Sequence, residues 1–197
     1  MCGIAGFFNL NGEPASNIIL RKMTDAIAHR GPDGEGFYID SFIALGHRRL
    51  AIIDLSPAGH QPMMSDDTNY IITYNGEVYN FQNIRLELEN KGYHFHSRTD
   101  SEVVLNAYLE WGSDCLNKFN GMFAFAIWDK NKGELFIARD RYGIKPLYYG
   151  FFENSFIFAS EQKAILQHPK VGKEIDLEAL AEYFTFQNIF TDKTLLK

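Results

Sequence analysis

Cysteine is scarce in this chain: Cys2 and Cys115 are the only two in 197 residues. That excludes a disulfide framework and fits a reducing compartment such as the cytoplasm. No apolar run approaches the roughly 20 residues that span a bilayer, and the start lacks the basic and apolar regions of a secretory signal. Acidic residues outnumber basic ones, for a net charge of −6, so there is no footprint for nucleic acid. His47 and His60 have no cysteine or histidine companions at metal-ligand spacing, which argues against a zinc site. No G-x-x-x-x-G-K-S/T stretch occurs, so the glycine-rich segments are not a phosphate-binding loop. Repeats and low-complexity tracts are also missing.

What is present suits a folded domain with a substantial core. Hydrophobic residues make up 46% and charged residues 22%, ordinary values for a soluble protein. Aromatics at 15% favour a sheet-rich interior, because they suit pleated surfaces.

Gly3 to Leu10 reads as a short buried strand, with Gly3 and Gly6 permitting close backbone approach. After a turn at Asn11 to Pro14, Ile19, Met23, Ala26 and Ile27 recur at helical spacing and predict an amphipathic helix over 17–29. His29-Arg30-Gly31-Pro32-Asp33-Gly34 enforces a loop. Strands are expected at 36–40, 42–47 and 50–54, and a polar surface loop over 55–69. Tyr70 to Tyr74 is a β-branched and aromatic run, and Asn75-Gly76-Glu77 reads as the tight turn that ends it. Asn80 would cap a helix over 81–91, closed by Gly92. Thr99 and Glu102 have capping-box spacing. That places Asp100 in the first turn of a helix whose inner face carries Val103, Val104, Ala107, Tyr108 and Trp111. Two hairpins are expected, at 122–139 and 147–159, and helices at 161–167 and 176–187. Apolar runs with little alternation imply strands covered on both faces, hence helices lying against a pair of stacked sheets.

The chemistry concentrates at the start. Cys2 follows the initiator Met1, and a small residue there suits methionine removal. The freed Cys2 would carry a thiol and an α-amine with reference pKa values of about 8.5 and roughly 7.7–8.0. The amine could then serve as base toward the thiol, as in an N-terminal nucleophile. From these residues alone, an inert thiol is the stronger explanation.

The motifs downstream change that balance. Met1 to Gly6 is followed by His29-Arg30-Gly31-Pro32-Asp33, His47-Arg48-Arg49-Leu50-Ala51-Ile52-Ile53-Asp54, Tyr74-Asn75-Gly76-Glu77-Val78-Tyr79-Asn80 and Asp100-Ser101-Glu102. Gly121-Met122-Phe123-Ala124-Phe125-Ala126 and Arg139 to Tyr148 complete the series. In this order the chain resembles, over nearly its whole length, the glutaminase domain of class II glutamine amidotransferases, most closely that of glutamine-hydrolysing asparagine synthetases. The resemblance implies an α+β fold, the four-layer αββα sandwich of N-terminal-nucleophile hydrolases, with two stacked, mainly antiparallel sheets. It implies a single glutaminase domain over 1–197, with residues from about 172 leading into a synthetase domain.

It also implies a reaction: glutamine hydrolysis to glutamate and ammonia through a thioester on Cys2. The Asn75 side chain and the Gly76 N–H would form the oxyanion hole. Arg49 would bind the substrate carboxylate and Asp100 its ammonium, helped by backbone of Ile52, Ile53 and Glu77. Taken singly, these residues have plainer explanations: a turn dipeptide, a surface arginine and a helix-cap aspartate. Arg48 and Arg49 would point to opposite faces of a strand; the match of the following Leu50-Ala51-Ile52 favours Arg49, leaving Arg48 solvated. His29, Arg30 and Asp33 are expected to order the loop beneath the site. Arg139, Asp140 and Arg141 are expected to form a loop ion network, and Cys115 to serve packing. No metal or cofactor is expected in this chain. ATP and Mg²⁺ are implied for the synthetase domain, whose Ser-Gly-Gly-x-Asp-Ser type loop does not occur here. The expected partners are L-glutamine and that domain, not nucleic acid or membrane; oligomeric state is left open, a homodimer included. Two alternatives stand beside this: an amidotransferase acting on a sugar or nucleotide precursor, and a non-catalytic glutamine-binding domain, against which an intact Cys2 argues.

Overall fold

Side-chain alternation along the strands sorts the apolar residues into three separate cores, and these define the layers. A computed structural model of the chain describes residues 1–191 and 193–196; residues 192 and 197, in the stretch expected to lead onward, lie outside the described residues. In chain order the elements are β1 (Gly3–Asn9), α1 (Asn17–Asp25), β2 (Gly34–Asp40), β3 (Ile43–Arg49), β4 (Met63–Met64), β5 (Tyr70–Val78), α2 (Phe81–Asn90) and α3 (Asp100–Trp111). They continue with β6 (Gly121–Asp129), β7 (Glu134–Arg139), β8 (Tyr148–Phe152), β9 (Ser155–Ala159), α4 (Gln162–Ile165) and α5 (Leu177–Phe186). One sheet has the order β2-β3-β1-β9-β8 and the other β4-β5-β6-β7, with every pairing within them antiparallel.

Between the sheets lie Ile4, Leu45, Ile71, Ala124, Ala126 and Phe158. Against α1 and α4 the first sheet turns Phe7 and Ile157 toward Leu20, Met23, Ile27 and Ala164. Against α2 and α3 the second turns Ile72, Phe125 and Ile127 toward Ile84, Leu88, Val103 and Val104. The result is helix, sheet, sheet, helix, the αββα sandwich. Both faces of β1 and β6 are thereby covered, which accounts for their near-continuous apolar runs.

Local signals hold at some element ends and fail at others. Asn80 precedes α2, but its side chain caps no helical N–H: Nδ2 donates to Lys118 O at 2.9 Å and Oδ1 accepts from Asn120 N at 3.0 Å. Gly92 takes φ +95° after α2, and the Thr99 hydroxyl accepts from Glu102 N at 3.4 Å to cap α3. Glu102 does not close the capping box; its carboxylate accepts from the backbone N–H groups of His96 and Ser97 at 2.8 and 2.7 Å. The helix over 17–29 breaks at Asp25 and resumes as a short 3-10 turn, Ala28–Arg30.

Three expectations need correction. Asn75-Gly76-Glu77 is not a turn: it runs on inside β5, with Asn75 opposite Ala124 and Gly76 opposite Phe123. A long apolar partner strand outweighs the turn propensity of an Asn-Gly pair. Leu50 to Asp54 is not a strand but an irregular loop, because its backbone bonds are taken by side chains. The 55–69 loop is not wholly at the surface: it contributes β4 and buries Gln61.

Candidate active site

The register of β5 on β6 decides which backbone groups are free. Tyr79 N donates to Asn120 O at 2.8 Å and Lys130 N to Asn69 O at 2.9 Å, so the odd-numbered residues of β5 bond to β6. Tyr74, Gly76 and Val78 therefore turn their N–H groups to the opposite edge, past the end of β4. Two of these are satisfied by side chains: Tyr74 N donates to Gln61 Oε1 at 2.7 Å and Val78 N to Asp100 Oδ2 at 3.0 Å. Gly76 N–H stands between them at an open edge. A Cβ at Gly76 would meet Met122 O and Tyr74 Oη, each at 2.7 Å, so only glycine fits here.

Side-chain alternation places Asn75 on the other face of β5. Thr73 and Ile71 on that face reach the first sheet, Thr73 Oγ1 donating to Gly46 O at 3.1 Å. Asn75 is buried, and its Nδ2 has no hydrogen-bond partner among the described residues. A buried amide donor left unpaired is costly unless it serves a ligand.

Cys2 sits just before β1, the middle strand of the first sheet. Its Sγ accepts from Leu50 N at 3.4 Å and donates to Leu50 O at 3.6 Å. Burial pushes the thiol pKa up, against the Leu50 N–H. The Cys2 carbonyl accepts from Arg30 Nε at 2.9 Å, and Arg30 is anchored by Glu161 at 2.9 Å. Burial opposes ionisation of Glu161, but bonds from Arg30, Lys163 and His29 prevail and hold it at about 2. Asp33 accepts from Ala51 N at 2.9 Å. His29, Arg30 and Asp33 thus tie the N-terminus and the 50–59 loop to the scaffold.

Arg49 ends β3. Its guanidinium donates to Ser56 O at 3.0 Å and to Asp54 O, curling the loop around it and leaving its other N–H groups for an anion. Gly59 lies against it, since a Cβ there would come within 2.4 Å of Arg49 Nη2. Arg48 points the opposite way, as strand geometry requires, but it is not solvated. It is mostly buried and bonds Thr24 O, Asp25 and Glu35, because α1 covers that face.

Asp100, in the first turn of α3, accepts from Tyr74 Oη at 2.6 Å as well as from Val78 N. Burial raises its pKa, opposed by those two bonds. His47 lies beneath this corner, fully buried, with Nε2 donating to Tyr74 O at 3.1 Å; burial lowers its pKa to about 3. No group of three or more metal-ligating side chains occurs among the described residues.

These residues surround one cavity of about 290 Å³. Cys2, Arg49, Ile52, Ile53, Asn75, Gly76, Glu77 and Asp100 all line it, together with Met1. Ile52 and Ile53 expose their side chains and offer backbone. Sequence reasoning missed Gln61, Tyr74 and Lys145 as parts of this wall; a buried glutamine in a polar loop carries no periodic signal. The Arg139-Asp140-Arg141 stretch is not an ion network. Asp140 accepts from the backbone N–H groups of Phe123, Tyr142, Ile144 and Lys145, and Arg139 donates to Lys145 O and Gly143 O. Cys115 is buried in the α3 core, its thiol pushed up to about 12 by burial.

Two stacked antiparallel sheets between helices are also the fold of a solved amidotransferase. The glutamine phosphoribosylpyrophosphate amidotransferase of B. subtilis shares the fold with a TM-score of 0.71, at 22% identity over 83% of this chain and 43% of that one. The chain itself belongs to the glutamine amidotransferase domain family, which it matches over residues 1–197. It is 42% identical to glutamine-hydrolysing asparagine synthetase 3 of Bacillus subtilis over 93% of its length. A putative glutamine-hydrolysing asparagine synthetase 2 of Methanocaldococcus jannaschii is 45% identical, again over 93% of the chain. The chain spans 30% and 39% of these two relatives.

Proposed function

We propose that this chain is a single glutaminase domain that hydrolyses L-glutamine through Cys2. Its ammonia would serve the ATP- and Mg²⁺-dependent amidation of aspartate to asparagine in an adjoining C-terminal synthetase domain. The observation that carries the glutaminase reading is that Asn75 Nδ2 has no partner among the described residues while the strand register turns Gly76 N–H to the edge away from β6, both residues lining the cavity that also holds Cys2. Donors kept free of internal partners are what a developing oxyanion requires.

With Met1 removed, the Cys2 α-amine takes the thiol proton while Sγ attacks the amide carbon of glutamine. The carbonyl oxygen becomes the oxyanion and accepts from Gly76 N–H and Asn75 Nδ2. Collapse breaks the C–N bond, and the proton passes from the amine to the leaving nitrogen as ammonia. Water then cleaves the thioester, giving glutamate and the free thiol. Arg49 holds the α-carboxylate and Asp100 the α-ammonium, so the side-chain amide alone reaches Cys2. The arriving ammonium supplies the counter-charge that a buried Asp100 carboxylate lacks.

Identity of 42% and 45% to asparagine synthetases favours aspartate over a sugar or nucleotide precursor as acceptor. Unused donors beside a thiol favour catalysis over glutamine binding alone. No helix among the described residues is long and apolar enough to cross a membrane, and a free catalytic thiol suits the cytoplasm. The test is direct. Protein shown by intact mass to lack Met1 releases glutamate from glutamine and is alkylated at Cys2 by a glutamine-mimicking diazoketone. Cys2→Ala loses both while unfolding as cooperatively as the parent; full activity in that variant refutes the mechanism.

A further inference from the structure

One buried cation on the cavity wall has no part in the chemistry above. Lys145, on the loop after β7, is 5% exposed and lines the cavity beside Cys2. Its backbone is fixed on both sides: the N–H donates to Asp140 Oδ2 at 3.0 Å and the C=O accepts from Arg139 Nε at 2.6 Å. The hydrogen bond of its Nζ is to the thioether of Met1, at 3.4 Å. It forms no ion pair among the described residues. An ammonium withdrawn from water without a carboxylate partner is costly, and such groups concentrate at functional sites.

Met1 is the residue that methionine removal takes away. Its loss strips Nζ of its partner and creates the Cys2 α-amine in the same corner of the cavity. Burial draws the Lys145 pKa down while the neighbouring Cys2, Glu77 and Asp140 draw it up and Arg30 draws it down. On the thiol itself the N-terminal ammonium and Arg49 draw the pKa down, and Asp100 draws it up.

We propose that Lys145 is an electrostatic positioning residue for Cys2, its ammonium favouring the thiolate and keeping the new α-amine in its neutral, proton-accepting form. The proposal rests on Cys2 acting as an N-terminal nucleophile. One cation serves both ends of the proton transfer: an opposite charge nearby favours ionisation of the thiol, and a like charge disfavours protonation of the amine. In the unprocessed chain the same ammonium is engaged by Met1, so processing would both create the base and release the charge that tunes it.

The experiment measures kcat/KM for glutamine against pH, and the pH dependence of iodoacetamide alkylation, on Met1-free protein. In Lys145→Met the acid limb of kcat/KM and the alkylation midpoint both move up by about one pH unit, and Lys145→Arg returns them to the parent values. Limbs that superimpose on the parent in Lys145→Met, whatever the fall in overall rate, overturn the proposal. Should that variant not fold, Lys145→Gln reads out the same two shifts. A parent chain that hydrolyses no glutamine, or an active Cys2→Ala, strikes at the glutaminase reading instead, and the alkylation profile then still tests Lys145.

Discussion

Gly76→Ala separates the backbone role of this residue from its place in the strand. The added Cβ would lie 2.7 Å from Met122 O, 2.7 Å from Tyr74 Oη and 2.8 Å from Phe123 Cβ, well inside ordinary contact. Met122 O is backbone of β6, and Tyr74 Oη is tethered to Asp100 at 2.6 Å, so neither neighbour can yield alone. β5 must move outward at Gly76 and take its edge N–H with it. Overpacking of this kind costs about 1–3 kcal/mol, a fraction of the roughly 5–15 kcal/mol of a typical domain. For a chain of this size each kcal/mol lowers Tm by about 2–4 °C, so the variant stays folded at room temperature. Loss of one oxyanion donor lowers kcat by about 10²–10³. The expected signature is a modest drop in Tm with a large drop in glutaminase kcat. Gly172→Ala is the control, since a Cβ there meets nothing within 4 Å, and should change neither. A folded Gly76→Ala enzyme with kcat within about threefold of the parent would refute the assignment of its N–H to the oxyanion.

Two further outcomes concern pH. Tyr74→Phe removes the O–H that donates to Asp100 at 2.6 Å; burial already raises this carboxyl, and losing the bond raises it further. Glutamine binding weakens as pH falls through the Asp100 pKa, so the KM ratio of variant to parent should grow toward acid, by about 10-fold or more, and shrink toward alkali. A ratio independent of pH would contradict the role of Asp100. His47 is buried neutral with its pKa lowered to about 3, so the unfolded chain binds its proton more readily. Its contribution to stability is full above about 6.5, and is lost as pH falls from there toward 3, amounting to about 5 kcal/mol across the window. Denaturant unfolding from neutral to acid pH measures it, and His47→Gln should flatten that part of the profile.

Much of the fold was legible because periodicity and caps are local. The apolar run of β6, the helical spacing of Ile19, Met23, Ala26 and Ile27, and Thr99 three residues before Glu102 each announce an element without its neighbours. The Asn75-Gly76 pair misleads for the same reason: its local preference is a turn, and only the pairing with Ala124 and Phe123 keeps it extended. Arg48 misleads because α1, which buries its face, is more than twenty residues away in sequence. Gln61 carries no pattern at all, and Lys145 sits in a motif that assigns it no role, since what makes each notable is what lies across the cavity.

Two cysteines left no disulfide framework and no apolar run was long enough for a membrane helix, while the ordered motifs pointed to the family and to Cys2, Arg49, Asn75, Gly76 and Asp100. Those are one-dimensional properties: counts, spacings and residue types. Which donors remain free is not. Gly76 N–H is available only because the odd residues of β5 take up the bonds to β6, while Gln61 and Asp100 occupy the edge positions on either side. Asn75 Nδ2 is available because alternation turns it to the inner face, where no described residue accepts from it. Hydrogen-bond accounting depends on strand register and on contacts distant in sequence, so the tertiary structure alone decided that this cavity keeps donors in reserve.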